Sequence, residues 1–297
     1  TRPVNLHLFA LEKLGAKIKI KNGYIYASAK NGLKGATIKF PSISVGATEN
    51  AILAAVSAEG KTIISNCAIE PEIQDMIIFL NKIGCSISSI GKRKILIKGT
   101  NNFKNTSHNI IFDRIELGTY LIAAALVGKK IVLHRIKPEI IETEIKILKK
   151  MGIKMKIEKN KITVFESKKI NKINIKTEAY PGFPTDLQAQ IMVLMSKATG
   201  ISKVKENIFE NRFMHVPELR RMGAKISTKK NIATISGPTN LSGAEVMATD
   251  LRASVSLVLA ALVADNKTII NRVYHLDRGY ENLEKKLKKC KAIINRV

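Results

Sequence analysis

Five copies of one short pattern recur along this 297-residue chain at nearly constant spacing, and no other feature limits its fold so strongly. The segments are LEKLGAKI from Leu11, LNKIGCSI from Leu80, LKKMGIKM from Leu148, LRRMGAKI from Leu219 and LKKCKAII from Leu287. Their shared Gly falls at 15, 84, 152 and 223, with Lys291 in its place in the fifth copy, so successive copies lie 69, 68, 71 and 68 residues apart. Each reads as the end of an amphipathic helix, a residue in the left-handed C′ position, and then a strand. A second, more apolar helix precedes each of the last four copies: GATENAILAAVSAEG, RIELGTYLIAAALVG, DLQAQIMVLMSKATG and RASVSLVLAALVADN, with Gly60, Gly128, Gly200 and Asn266 as stops. A β-rich run follows each, such as KTIISN or KKIVLH. The unit is therefore helix, strand, helix and strand pair. Helices this apolar are buried on most of their surface. A period of about 70 residues matches no common solenoid, so the expected class is α/β, in globular domains built from copies of one unit.

Composition narrows the function classes. Hydrophobic residues make up 45% of the chain, enough to fill a core. Cys67, Cys85 and Cys290 show no C-x-x-C spacing and cannot frame a disulfide scaffold, which points to a reducing compartment and away from a zinc site. The longest apolar stretch, Ser254 to Ala264, is far short of the roughly 20 residues a membrane span needs. The net charge of +26 would suit nucleic acid if it formed a stripe. It does not: the Lys residues are spread along the whole chain among Ile and Asn, and no RNP, KH or helix-turn-helix pattern accompanies them.

The copies also align polar residues. Fourteen positions before the four helix stops stand Gly46, Arg114, Asp186 and Arg252; twelve positions after them stand Glu72, Ile140, Arg212 and Arg278. Helix N-termini offer free N–H groups and positive potential, and Arg placed there makes a site for phosphate or carboxylate. A single such Arg has a plain reading as a solvated surface residue, but Arg2, 13 residues before Gly15, joins Arg212 and Arg278 to put three in the equivalent slot of three copies, which favours anion binding. In YPGFPTDLQAQ, from Tyr180, two Pro and a Gly fix a turn, and Thr185 and Asp186 open an apolar helix. Asp186 reads either as an N-cap or as a rigidly presented general base.

Four stretches, PGFPTDLQAQ, FENRFMHVPELRRMGA, SGAEVMATDLRAS and YHLDRGYE, closely resemble the UDP-N-acetylglucosamine 1-carboxyvinyltransferase family, the enolpyruvyl transferases of peptidoglycan synthesis. The resemblance runs over essentially the whole chain. It implies two inside-out α/β domains, each of three copies of the unit, with substrates held in the cleft between them. Residues 1–111 would be an incomplete first domain and residues 112–297 a complete second one. Six copies of about 70 residues would make about 420, which leaves about 120 residues upstream. The second domain is expected to fold alone, while the first is expected to leave core exposed.

The implied reaction joins the 3′-hydroxyl of UDP-N-acetylglucosamine to C2 of phosphoenolpyruvate and then expels phosphate. It needs a base, an acid and cations for the anionic substrates. By resemblance Asp186 takes the hydroxyl proton, and Arg2, Arg212, Arg252 and Arg278 surround the anions. Arg2, Pro3, Val4, Asn5 and Leu6 match a segment that grips the uridine end. Ser42, Ile43, Ser44 and Val45 match a second nucleotide contact, and Ile208 a third. Asn5 stands where the family commonly has Asp, and Ser42 where some members have Lys. By the same resemblance the family's loop acid, usually Cys, falls a few residues before Arg2, and a substrate-binding Lys and Arg also fall upstream of this sequence. The sequence as it stands is thus expected to be inactive alone, with the upstream segment as its partner. Cys67, Cys85 and Cys290 read as structural, and none of the five His has metal-ligand spacing with another. No cofactor, metal, nucleic acid or membrane is expected, and a cytoplasmic location is. The alternatives are the sister enzyme acting on shikimate 3-phosphate, a non-catalytic remnant, and a basic binding module. Saturable stabilisation by UDP-N-acetylglucosamine separates the transferase from the last of these, whose affinity for DNA would fall steeply with salt.

Overall fold

The computed structural model describes residues 4–297. The chain divides into two compact units, one running to Ile111 and the other from Phe112 to Val297.

The first unit contains α1 (Asn5–Lys13), β1 (Lys17–Lys21), β2 (Tyr24–Ser28), β3 (Thr37–Lys39), α2 (Val45–Ala55), β4 (Lys61–Ser65), α3 (Pro71–Lys82), β5 (Ser86–Gly91) and β6 (Lys94–Lys98). Strands β1 and β2 form an antiparallel hairpin. The other four make a sheet in the order β3-β4-β6-β5, parallel only between β3 and β4. Strand β6, KILIK, buries Ile95 and Ile97 and turns Lys94 and Lys98 to solvent. This two-residue alternation is how a Lys-rich chain keeps its charge off its core.

The second unit contains α4 (Arg114–Val127), β7 (Lys130–His134), α5 (Glu142–Lys150), β8 (Met155–Glu158), β9 (Lys161–Phe165), β10 (Asn174–Lys176), α6 (Gln188–Ser196), β11 (Gly200–Lys205), α7 (Val216–Arg221), β12 (Lys225–Lys229), β13 (Ile232–Gly237), β14 (Leu241–Ser242), β15 (Glu245–Met247), α8 (Leu251–Ala261), β16 (Ala264–Asp265), β17 (Ile269–Asn271) and α9 (Leu283–Lys289). Its sheets have the orders β7-β9-β8 and β10-β11-β13-β12, with parallel pairs β14-β16 and β15-β17. The four-stranded sheets of the two units share one strand order, so the sequence repeat is a repeat of topology. Helices α4, α6 and α8 pack on one another inside the second unit. Every residue of α6 is buried, and so are all but three of the eleven in α8. The helices are therefore the core, which makes the architecture inside-out. Each fully buried Ile, Met, Val or Leu of α6 contributes about 1.5–3 kcal/mol of transfer free energy.

All five helix stops of the short pattern have the expected geometry. Gly15, Gly84, Gly152 and Gly223 have φ between 86° and 106°, and Lys291 has φ 68°. In each, two backbone bonds close the last turn, as in Gly15 N–H to Glu12 carbonyl at 2.9 Å and Ala16 N–H to Leu11 carbonyl at 3.0 Å. The structure corrects three other expectations. Of the four apolar helices only α4 stops at its Gly; α2, α6 and α8 end at Ala55, Ser196 and Ala261, because Gly60, Gly200 and Asn266 serve instead as left-handed turns into the next strand. A strand opens several repeats (β3, β10, β15), and the expected unit had none there. After Lys291 no strand forms; Ala292 and Ile294 pack on the cluster of Val255, Leu276 and Tyr280.

One core position creates a measurable electrostatic cost. Glu144, in the first turn of α5, is 4% exposed. Burial pushes its pKa from 4.5 to about 6, with its own backbone and the Arg114 charge only partly opposing the rise. Between these values the native state keeps a proton the unfolded chain has lost, so stability falls as pH rises. Above pH 6 the cost is about 2 kcal/mol. Glu144→Gln is expected to raise the unfolding free energy by about that much at pH 7 and to leave it unchanged at pH 4, read from denaturant midpoints.

Candidate active site

Asp186 lies in a single 3-10 turn, Thr185–Leu187, that leads into α6. The chain before it is tightly folded. Glu178 N–H donates to the Phe183 carbonyl at 3.0 Å, Gly182 N–H to the Ala179 carbonyl at 2.9 Å, and the Thr143 hydroxyl to the Pro181 carbonyl at 2.5 Å. Leu187 is fully buried against α4 at Gly118, where a Cβ would stand 2.4 Å from a Leu187 methyl. A larger residue at 118 would push the Leu187 side chain out of its seat. Gln190, one helical turn on, donates from Nε2 to the Asp186 carbonyl at 2.8 Å. Asp186 is thus not the N-cap of a long helix but the half-buried corner of a braced turn.

Two guanidiniums hold its carboxylate. Arg212 Nη2 donates to Oδ1 at 2.5 Å, and Arg252 Nη2 to Oδ2 at 2.8 Å. Arg212 comes from the loop before α7 and lies over the Phe209 ring at 5.1 Å. Arg252 is the second residue of α8, whose first N–H groups are capped by Asp250 Oδ1 at 2.8 and 3.0 Å. Behind it Arg252 Nη1 donates to the Tyr280 hydroxyl at 3.4 Å. That hydroxyl is 2.9 Å from Thr119 Oγ1 and accepts from Gln190 Nε2 at 3.4 Å. The network joins α4, α6 and α8, one helix from each repeat. Burial alone would raise the pKa of Asp186, but the charges of Arg252, Arg212 and Arg114 override it and hold the carboxyl below its ordinary range. Arg114, the first residue of α4, also lies over the Tyr180 ring at 5.6 Å.

Three guanidiniums thus bear on one carboxylate that still shows 36% of its side-chain surface. Guanidiniums so placed suit an anion. A ligand phosphate or carboxylate that recruited an arginine would leave Asp186 freer to accept a proton.

The structure brings Asp186, Arg212 and Arg252 together. Arg278 is exposed at the end of the 3-10 turn Val273–Arg278 and makes no contact with them among the described residues. Ile208 is 43% exposed, and its N–H donates to Glu206 Oε1 at 2.8 Å. In the first unit Val4 and Asn5 are exposed at the start of α1, and Leu6 packs on the core. Ser42 is exposed, and Ile43 and Val45 pack on the core. The Ser44 hydroxyl caps α2 by accepting from Ala47 N–H at 3.3 Å. His7 links the two stretches: its Nδ1 is 3.2 Å from Asn50 Nδ2, and its ring lies against Gly46. Arg2 and Pro3 lie outside the described residues. Cys67 and Cys85 are buried and Cys290 is exposed. No helix among the described residues is long and apolar enough to cross a membrane. Glu206, Thr119, Gln190 and Tyr280 were not singled out from sequence. The available signal was polar residues inside apolar runs, as in DLQAQIMVLM.

The profile of the family described as EPSP synthase (3-phosphoshikimate 1-carboxyvinyltransferase) matches residues 1–287. A UDP-N-acetylglucosamine 1-carboxyvinyltransferase of Pelagibacter ubique (strain HTCC1062) is 61% identical over 297 residues, which is all of this chain and 71% of the relative. Its counterpart in Rhodopseudomonas palustris (strain HaA2) is 51% identical, over all of this chain and 70% of the relative. Among solved structures, the enolpyruvyl transferase NikO from Streptomyces tendae superposes with a TM-score of 0.91 over 99% of this chain and 72% of its own, at 24% identity. An EPSP synthase from Acinetobacter baumannii gives 0.74, at 20% identity, over all of this chain and 72% of its own. These two show the fold. The chain belongs to the enolpyruvyl transferase family that includes EPSP synthase, and within it to the UDP-N-acetylglucosamine 1-carboxyvinyltransferases.

Proposed function

We propose that this protein transfers the enolpyruvyl group of phosphoenolpyruvate to the 3′-hydroxyl of UDP-N-acetylglucosamine, in peptidoglycan synthesis and in the cytoplasm. The observation that carries the reading is the Asp186 carboxylate set between Arg212 and Arg252, in a chain 61% identical over its whole length to an enzyme of that name. Asp186 takes the hydroxyl proton as the sugar oxygen bonds to C2 of phosphoenolpyruvate. An acid protonates C3 in the same addition. Elimination then removes a C3 proton, breaks the C2–O bond to phosphate, and restores the C2–C3 double bond, now as a vinyl ether of the sugar. Arg212 and Arg252 stabilise the phosphate and carboxylate charges in a partly buried site, where such contacts are worth more than in water. Arg2 and Arg278 complete the cationic set, and the Pro3–Leu6 and Ser42–Val45 stretches with Ile208 receive the nucleotide. Residues 1–111 then form part of a first transferase domain, and residues 112–297 a whole second one. The chain spans 71% of the length of that relative. The reaction needs no metal or cofactor.

The test is phosphate release by the full-length protein with phosphoenolpyruvate and either acceptor, with the product mass measured. UDP-N-acetylglucosamine is expected to support saturable release and shikimate 3-phosphate none. The reverse pattern, or no release with either, would overturn the proposal.

A further inference from the structure

Four hydrogen bonds converge on one buried carboxylate beside the site, and the reaction proposed above gives it no role. Glu206 is 3% exposed. It stands directly after β11, and the β12–β13 turn clamps its backbone. Its N–H donates to the Asn231 carbonyl at 2.8 Å, and Asn231 Nδ2 donates to its carbonyl at 2.8 Å. Oε1 accepts from the Thr177 hydroxyl at 2.7 Å, the Ile208 N–H at 2.8 Å and the Phe209 N–H at 3.1 Å; Oε2 accepts from the Thr185 hydroxyl at 3.0 Å. The Thr177 oxygen itself accepts from Asn207 N–H at 2.9 Å, which directs its proton to Glu206. Four donors on one side chain call for an acceptor-only group, which is the carboxylate. Thr185 immediately precedes Asp186. Ile208 and Phe209 open the loop that carries Arg212, and Phe209 supplies the ring beneath its guanidinium. One anchor on the end of a sheet therefore holds both the base and a cation that grips it.

We propose that Glu206 is a positioning residue for enolpyruvyl transfer, keeping the Thr185–Asp186 turn and the Ile208–Arg212 loop in a single register. The inference rests on Asp186 acting as the base. A buried polar network with every bond made holds one geometry, and a displacement of about 1 Å at a reacting group costs about 10²-fold in rate.

The test uses the full-length protein and the variants Glu206→Gln, Thr185→Val and their double. Gln keeps Oε1 and its three bonds but turns an amide donor toward Thr185. Val removes only the hydroxyl that ties the base to Glu206, so it decides the matter even if the Gln variant fails to fold. Each single variant is expected to lower kcat about tenfold or more, with the KM for UDP-N-acetylglucosamine changed less than about threefold. The double variant is expected to be little worse than either single, because both cut one link. The acid limb of kcat against pH is expected to move in both singles. An unchanged kcat and acid limb in folded variants, or losses that multiply in the double, would overturn the positioning role. Wild-type protein that releases no phosphate would instead overturn the transferase reading, and this inference with it.

Discussion

Asp186→Asn in the full-length protein is expected to lower kcat by about 10²–10⁴-fold, the usual contribution of a general base, with much smaller loss in UDP-N-acetylglucosamine affinity. The substitution keeps shape but not charge. The wild-type carboxylate gives one oxygen to Arg212 and the other to Arg252. An Asn amide offers one acceptor and one donor, so one guanidinium would face an N–H group across a hydrogen-bond distance. The variant therefore loses its base, both ion pairs and one of the two hydrogen bonds, which also frees an arginine for the substrate anions. Binding by calorimetry and turnover by phosphate release separate the two effects. Because the native pKa of Asp186 is depressed, its ion pairs stabilise the fold fully above the ordinary carboxylate value. That contribution is lost as pH falls through the native value, and the variant lacks this acid-side loss. A kcat near wild type would remove Asp186 from the base role.

Acid is expected to destabilise the protein by about 3 kcal/mol between pH 6.5 and 4 through His215 alone. This side chain is 2% exposed, with Nε2 3.4 Å from Met192 Sδ and its ring beside Phe213. Burial lowers its pKa from 6.5 to about 4; the Asp250 charge and a hydrogen bond with the Arg212 backbone oppose the shift, and the Arg212 charge adds to it. Between those values the unfolded chain binds a proton that the native state does not, so stability falls as pH falls. Glu144 acts in the opposite sense between pH 4.5 and 6, by about 2 kcal/mol, so the loss is steepest outside that window. His215→Gln is expected to be less stable than wild type at pH 7 and to flatten the acid slope, read from denaturant midpoints across pH. An equal slope in the variant would mean that His215 titrates normally.

The repeat and the five helix stops of its short pattern were legible in the sequence because both are local. A left-handed residue after an amphipathic helix is written in six consecutive positions, and Leu11 to Ala16 shows the same two closing bonds as Leu287 to Ala292. The apolar helices were legible because their composition alone demands burial. The opening strands, such as Thr37–Lys39 and Asn174–Lys176, were not: three residues carry no period, and each is a strand only because β4 or β11 lies alongside. The site divides in the same way. Equivalent slots in the repeat marked Asp186, Arg212 and Arg252 one at a time. That the two arginines share one carboxylate, from 26 and 66 residues away in sequence, depends on α6 and α8 packing at the centre of the second unit. Glu206 lies further still from any sequence signal. In the chain it is a Glu at the end of a Lys-rich strand, a place where a solvated carboxylate is ordinary, and only the tertiary closure of three segments around it turns it into a buried acceptor.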